Sequence, residues 1–131
     1  MVGNAVILGI AAVALYNDAA IKADPPVYYV QDVPGGFNAL TLPPVGIFIH
    51  TRHRGNVELL QHEIAHWRQY QRDGLLPFWG NYISGHLLYG YDGNPYEVDV
   101  RTNECDYCRA NYTECVRNGS ANTVHDPGFR L

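Results

Sequence analysis

The pentapeptide His62-Glu63-Ile64-Ala65-His66 has the residue types and spacing of a zinc hydrolase site. Two histidines four residues apart lie on one face of a helix, so both imidazoles can reach one metal ion. The glutamate after the first histidine points into the same space and can take a proton from a metal-bound water. The pattern therefore predicts a Zn²⁺ site in which Glu63 is the general base.

The residues around the pentapeptide predict a helix over residues 57–73. Asn56 is a favourable N-cap, Gly74 is a typical helix stop, and no proline or glycine lies between them. Apolar residues can form the buried face, and the polar residues of the last turns can face water. The alternative is an amphipathic surface helix that carries two histidines by chance. Helix caps, helix length and a candidate third ligand together favour the metal site.

Catalytic zinc needs a third protein ligand and keeps one position open. The downstream candidates are Glu97, His86, Glu104 and Asp99. Glu97 is favoured because Asn94-Pro95-Tyr96-Glu97 reads as the N-cap and first turn of a new helix. A competing role for Glu97 is a capping-box bond back to Asn94. His86 lies in a less regular segment, and we expect it to line the cleft.

These motifs resemble the small gluzincin-type metallopeptidase domains found in bacterial and phage genomes. The resemblance covers residues 45–104 and rests on His62 to His66, on Gln69-Tyr70 with Gly74, on Gly90-Tyr91, and on Asn94 to Val98. It implies that His62, His66 and Glu97 bind zinc and that Glu63 is the base. It also implies a peptide or protein substrate.

Hydrolysis of a peptide bond needs a further donor for the developing oxyanion. The candidates are His86, Tyr89, Tyr91 and Tyr96, and the sequence leaves the choice among them open. Arg101 lies one helical turn beyond Glu97. We expect Arg101 to orient the Glu97 carboxylate without binding the metal itself.

Length and composition indicate one globular domain of the α+β class. The chain has 131 residues, of which 47% are hydrophobic and 17% are charged. Short strands are expected within residues 27–30, 37–42 and 45–50, which predicts a small antiparallel sheet before the two site helices. The expected division is an apolar helix at 1–23, a metal-binding domain at 24–118 and a loop-like tail at 119–131. A net charge of −4 gives no reason to expect nucleic acid as a partner.

The N-terminal segment is apolar from Val2 to Tyr16 except for Asn4. It predicts a helix over about residues 4–22, shorter than the ~20 apolar residues that span a bilayer. No basic residue precedes Lys22, which argues against a signal peptide. Cytoplasmic or virion-associated localisation is therefore favoured over secretion. Packing on the same domain is favoured, ahead of protein assembly through residues 1–22 and of membrane contact.

The three cysteines, Cys105, Cys108 and Cys115, are all expected on the helix that begins at Pro95. Free thiols in a reducing compartment are the favoured interpretation. The alternatives are a disulfide, or a second zinc site completed by His125.

A structural role is the main alternative to the peptidase. In this interpretation the chain is an assembly component, for example of a phage particle, and its zinc stabilises a small fold. The apolar N-terminus and the loop-like tail support it, because both suit contact with neighbouring subunits.

Overall fold

The computed structural model describes residues 2–109, with Val2 and residues 104–109 described by their backbone. Four helices and three strands make up this part of the chain, which confirms a mainly helical α+β fold. In chain order they are α1 (Val2–Ala20), β1 (Val27–Val30), β2 (Ala39–Leu42), β3 (Gly46–His50), α2 (Val57–Asp73), α3 (Leu75–Gly93) and α4 (Pro95–Arg109).

The three strands form a mixed sheet in the order β1-β3-β2. β2 pairs antiparallel with β3, but β1 pairs parallel with it, so the prediction of an antiparallel sheet is wrong for β1. The chain forms the edge strand β1, crosses to the opposite edge to form β2, and then returns between them as β3. With this path β3 runs parallel to β1 and antiparallel to β2. β3 takes the central place, and its Ile47 and Ile49 are buried. Gly46 is required beside β1, because a Cβ there would lie 2.7 Å from the Pro26 carbonyl oxygen.

Helix α2 is the centre of the domain and has the predicted bounds. The Asn56 side chain accepts a bond from the Leu59 amide, and the helix ends at Gly74. Its N-terminal half packs Leu59 and Ile64 on the sheet. Its C-terminal half packs Trp67 and Tyr70 against the other helices. The His62–His66 pattern lies between these two clusters, and the side chains of His62, Glu63 and His66 are buried.

Helix α3 covers a segment whose glycines and proline suggested irregular structure. Phe78 is buried against Tyr70 and Tyr96, and this aromatic packing holds the helix on α2 and α4. The helical geometry breaks only at Gly90, which has φ 73°. His86 therefore lies on a helix, contrary to the expectation of a less regular segment.

Helix α1 makes few contacts with the rest of the described chain. The Tyr70 hydroxyl donates to Oδ1 of Asn17 at 2.5 Å, and Ala20 and Ile21 pack beside the aromatic cluster. The earlier turns are exposed, so packing on the same domain, which the sequence favoured, is confined to the C-terminal end of this helix.

Several predictions fall wholly or partly outside the described residues. Cys105 and Cys108 lie on the backbone of α4, as expected. Cys115, His125, the end of the 24–118 domain and the 119–131 tail lie beyond residue 109.

Candidate metal centre

Three buried side chains converge between helices α2 and α4. His62 and His66 come from successive turns of α2, and Glu97 comes from the first turn of α4. All three are at most 3% exposed. Nε2 of His62 is 3.1 Å from Oε1 of Glu97, and Nε2 of His66 is 3.0 Å from Oε2. This group could hold a metal ion.

The spacing of the ligand atoms fits a tetrahedral ion. The two Nε2 atoms are 3.2 Å apart, close to their distances from the carboxylate. Ligand atoms at zinc's usual distances of about 2.0–2.1 Å would be separated by roughly 3.3 Å along a tetrahedral edge. The buried carboxylate also gives the site the negative charge that a cation requires.

Gln69 fixes the protonation pattern of His66. Its Nε2 donates to the main-chain oxygen of Tyr96 at 3.0 Å and to Asp99 at 2.9 Å, which sets the orientation of the amide. Its Oε1 therefore faces Nδ1 of His66 at 2.8 Å and accepts a hydrogen bond from it. With the proton on Nδ1, the lone pair of Nε2 points to the other ligands, as metal binding demands.

Tyr82 of α3 supports the third ligand, because its hydroxyl donates to Oε2 of Glu97 at 2.6 Å. Burial would raise the pKa of Glu97, but the two imidazoles hold it well below its usual range. The first turn of α4 adds the positive end of a helix dipole. Burial would lower the pKa of His66, but the Glu97 carboxylate raises it above its ordinary value. Glu97 is therefore an anion in the folded protein.

Glu63 is fully buried beside this group and is held by the sheet. The Thr41 hydroxyl on β2 lies 2.7 Å from Oε2 of Glu63 and 2.8 Å from its main-chain oxygen. Burial raises the pKa of this carboxyl. Its other oxygen, Oε1, accepts no hydrogen bond from the described residues. A water beside the metal ligands would satisfy that oxygen, so Glu63 is suited to a proton-transfer role.

The site opens into a crevice between β2 and α3. Glu63, His66 and Tyr82 line a space of about 20 Å³, room for about one water. Tyr82 and Leu40 also line a larger apolar groove of about 430 Å³. The remaining lining of that groove is Phe37, Leu42, Trp79, Ile83, His86, Leu87 and Tyr91. The groove and the small space beside His66 therefore share the side chains of Leu40, Trp79 and Tyr82.

The structure separates the residues proposed as oxyanion donors. His86 and Tyr91 line the groove, whereas Tyr89 is 63% exposed. Tyr96 is buried, and its hydroxyl donates to Asp73 at 2.6 Å, away from the ligands. Arg101 donates to the main-chain oxygen of Asp92, so the expected bond to Glu97 is not formed. Tyr82 takes the place that was expected for Arg101.

The other ligand candidates are not part of this group. His86 lines the groove, as expected, and the side chain of Glu104 lies outside the described residues. Asp99 accepts a hydrogen bond from Gln69 and so acts on His66 indirectly. The alternative of a capping-box bond for Glu97 does not occur, because the Asn94 side chain accepts from the Tyr96 amide and the Glu97 carboxylate turns to the histidines.

The sequence analysis assigned no role in the site to three residues that support it, Thr41, Gln69 and Tyr82. Gln69 carries a signal, since it lies three residues after His66 and residues so spaced face each other on a helix. Thr41 is the one polar residue of β2, which is a weaker signal. Tyr82 has none, because its segment has no clear helical pattern.

Comparisons with family models, curated proteins and solved structures found no match to this chain. The geometry of the site therefore carries the functional argument.

Proposed function

We propose that this protein is a zinc-dependent metallopeptidase. His62, His66 and Glu97 would hold the ion, and Glu63 would be the general base. The observation that carries the proposal is the unpaired Oε1 of Glu63 in the crevice that His66 also lines. Three protein ligands with an acidic group beside them are typical of catalytic zinc, whereas structural sites are usually closed by four.

The bound ion would supply Lewis acidity and lower the pKa of water. The chain would supply position and a proton acceptor. Thr41 holds one oxygen of Glu63 at 2.7 Å, which leaves the other oxygen to take the proton. Gln69 orients His66, and Tyr82 orients Glu97. These fixed hydrogen bonds reduce the reorganisation that the reaction would require.

A peptide substrate fits the surroundings of the site. β2 is an edge strand and carries Thr41, so an extended peptide could pair with its outer edge. Leu40 and Leu42 of the same strand line the apolar groove. A peptide on β2 would therefore place an apolar side chain in the groove and its backbone near Glu63.

The test is cleavage of quenched fluorescent peptides by zinc-loaded protein. Glu63→Gln should retain zinc and fold, because the amide is nearly isosteric, while turnover falls by about two or more orders of magnitude. Glu58→Gln is the matched control, since Glu58 is exposed on the same helix and should leave turnover unchanged. Equal turnover in Glu63→Gln and the parent would remove Glu63 from the mechanism.

Metal analysis completes this experiment. Two histidines and one carboxylate also bind Fe²⁺ in some oxygenases. Mass spectrometry of metals in the purified protein should find one zinc per chain, and chelation should abolish cleavage until zinc is restored. Iron in place of zinc would refute the zinc assignment.

A structural zinc site is the second candidate, and the narrow crevice favours it. The ligands are almost fully buried, and a space of about 20 Å³ admits little more than a water. In that case, removal of zinc would lower the melting temperature, and no peptide would be cleaved. Cleavage that is lost with Glu63→Gln would exclude a purely structural role.

A further inference from the structure

Helix α1 exposes apolar side chains around its whole circumference. Val6, Ile7 and Leu8 point about 100° apart on a helix, and each is at least 55% exposed. Ile10, Val13 and Leu15 continue the pattern at 57–73% exposure. A helix that is apolar on every side belongs in a protein core or in a membrane. None of the window from Gly3 to Ala20 is buried, so the described domain does not supply that core.

The apolar part of α1 ends at a sharp polar boundary. Tyr16 is half-exposed at the last apolar turn, and aromatic residues of this kind favour the membrane–water interface. Asp18 and Lys22 follow and form an exposed ion pair at 3.3 Å. Asp24 pairs with Arg68 of the folded domain at 2.9 Å. The order from apolar to aromatic to charged is that of a chain leaving a bilayer.

The length and hydropathy of α1 suit lipid. The window from Gly3 to Ala20 has 18 residues and a mean hydropathy of 1.3. At 1.5 Å per residue it is about 27 Å long, close to the ~30 Å thickness of a hydrocarbon core. A helix that binds a protein groove usually has one apolar stripe and one polar face. The absence of a polar face between Val6 and Leu15 favours lipid over a protein groove.

We propose that α1 inserts into a lipid bilayer and anchors the metal-binding domain at the membrane surface. The bond between Asn17 and Tyr70 fixes the domain to the end of the helix. Leu76 extends the apolar surface, since it is 81% exposed and lines a groove with Val6 and Ile10. The first turn of α3 would then contact lipid beside α1. This proposal is independent of whether the site is catalytic.

Cell-free synthesis of the full chain with phosphatidylcholine vesicles tests the anchor. The protein should float with the vesicles in a sucrose gradient and remain bound after alkaline carbonate washing. The double variant Ile10→Asp/Val13→Asp should lower the bound fraction at least tenfold, because charges in the hydrocarbon are costly. Val45→Asp is the control, since this valine is exposed in a turn outside α1 and should not affect flotation.

Three results would overturn the proposal. The protein could stay soluble as a monomer. It could instead form soluble oligomers that dissociate in the double variant, and that second result would make α1 a protein-association helix. Loss of α1 by proteolysis during expression in cells, seen by mass spectrometry of the mature N-terminus, would make it a cleaved leader. Folding of the double variant is checked independently, because it should bind zinc as the parent does.

Discussion

The hydroxyl of Tyr82 lies 2.6 Å from Oε2 of Glu97 and joins α3 to the metal-binding group. Both carboxylate oxygens of Glu97 therefore have polar partners. Oε1 faces His62, and Oε2 faces both His66 and Tyr82. A negative charge in so dry a site persists only when donors or a cation surround it. Burial and this carboxylate also raise the pKa of Tyr82, so the phenol stays protonated and remains a donor.

Tyr82→Phe should weaken metal binding without unfolding the protein. The variant removes the hydroxyl and keeps the ring that packs on Phe78. Loss of such a supporting hydrogen bond typically lowers metal affinity by about 10–100-fold. Competition with a zinc indicator measures the change. Tyr89→Phe is the matched control, because Tyr89 is largely exposed on the same helix. Equal affinity in the two variants would assign Tyr82 a packing role only.

His62→Ala and Glu97→Ala should each lose stoichiometric zinc. Each removes one of three residues whose candidate ligand atoms lie within 4.8 Å of one another. Two remaining protein ligands do not hold zinc firmly. Metal content after gel filtration is the measurement, and His53→Ala serves as the control, because His53 lies on a turn outside the site. Full zinc occupancy in either ligand variant would exclude that residue.

Local signals in the sequence were sufficient to predict α2 and the grouping of His62, His66 and Glu97. Asn56, Gly74 and the four-residue histidine spacing act within one helix, and Pro95 places Glu97 in a first turn. Such short-range patterns are reliable predictors because the contacts they predict are made between residues that are close in the sequence.

Long-range packing explains what the sequence did not predict. Helix α3 contains Gly80, Gly85 and Gly90, which weaken any helical signal. Gly85 is needed there, since a Cβ would lie 2.8 Å from Oδ1 of Asn94 and force α3 and α4 apart. The parallel pairing of β1 likewise depends on the path of the chain through β2. The Tyr82–Glu97 bond depends on both helices and so had no local signal.

A chain that starts at Ala23 should stay folded and bind zinc as the full chain does. The sequence alone favoured the opposite outcome, because α1 was expected to pack on the domain. The structure shows exposed side chains over most of α1. The truncation removes the hydrogen bonds from Tyr70 to Asn17 and from Gln71 to the main-chain oxygen of Ile21. Thermal unfolding and zinc titration check this expectation. A large fall in melting temperature would show that α1 belongs to the core.

Asp73 should contribute to stability at neutral pH and lose that contribution in acid. Arg72, at 2.7 Å, lowers the pKa of Asp73 despite partial burial, and the Tyr96 hydroxyl adds a second donor. Because the folded pKa lies below the unfolded value, the stabilisation is present above about pH 4 and is lost as the pH falls through the folded pKa. Asp73→Asn should cost less than about 1 kcal/mol at pH 7, since the pair is partly exposed.

Urea unfolding at pH 7 and at pH 3 measures the effect of Asp73→Asn. The difference between variant and parent should shrink in acid, because the carboxyl of the unfolded parent takes up a proton there and the advantage of the folded ion pair declines. A difference that does not change with pH would show that the ion pair contributes nothing measurable. Asp32→Asn is the matched comparison, because this exposed aspartate lies in a bend outside the helices.

His62 and Glu97, two of the candidate metal ligands, are 35 residues apart in the chain. An ion shared between them would act as a cross-link that closes a loop containing the rest of α2, all of α3 and the start of α4. Closing a loop of this length removes conformational freedom, and the ion's binding energy becomes part of the folding energy of the enclosed helices. The sheet lies outside that loop. Metal occupancy would therefore set the order in which the two halves of the domain come apart, because α3 and α4 would be released before the strands only when the ion is absent.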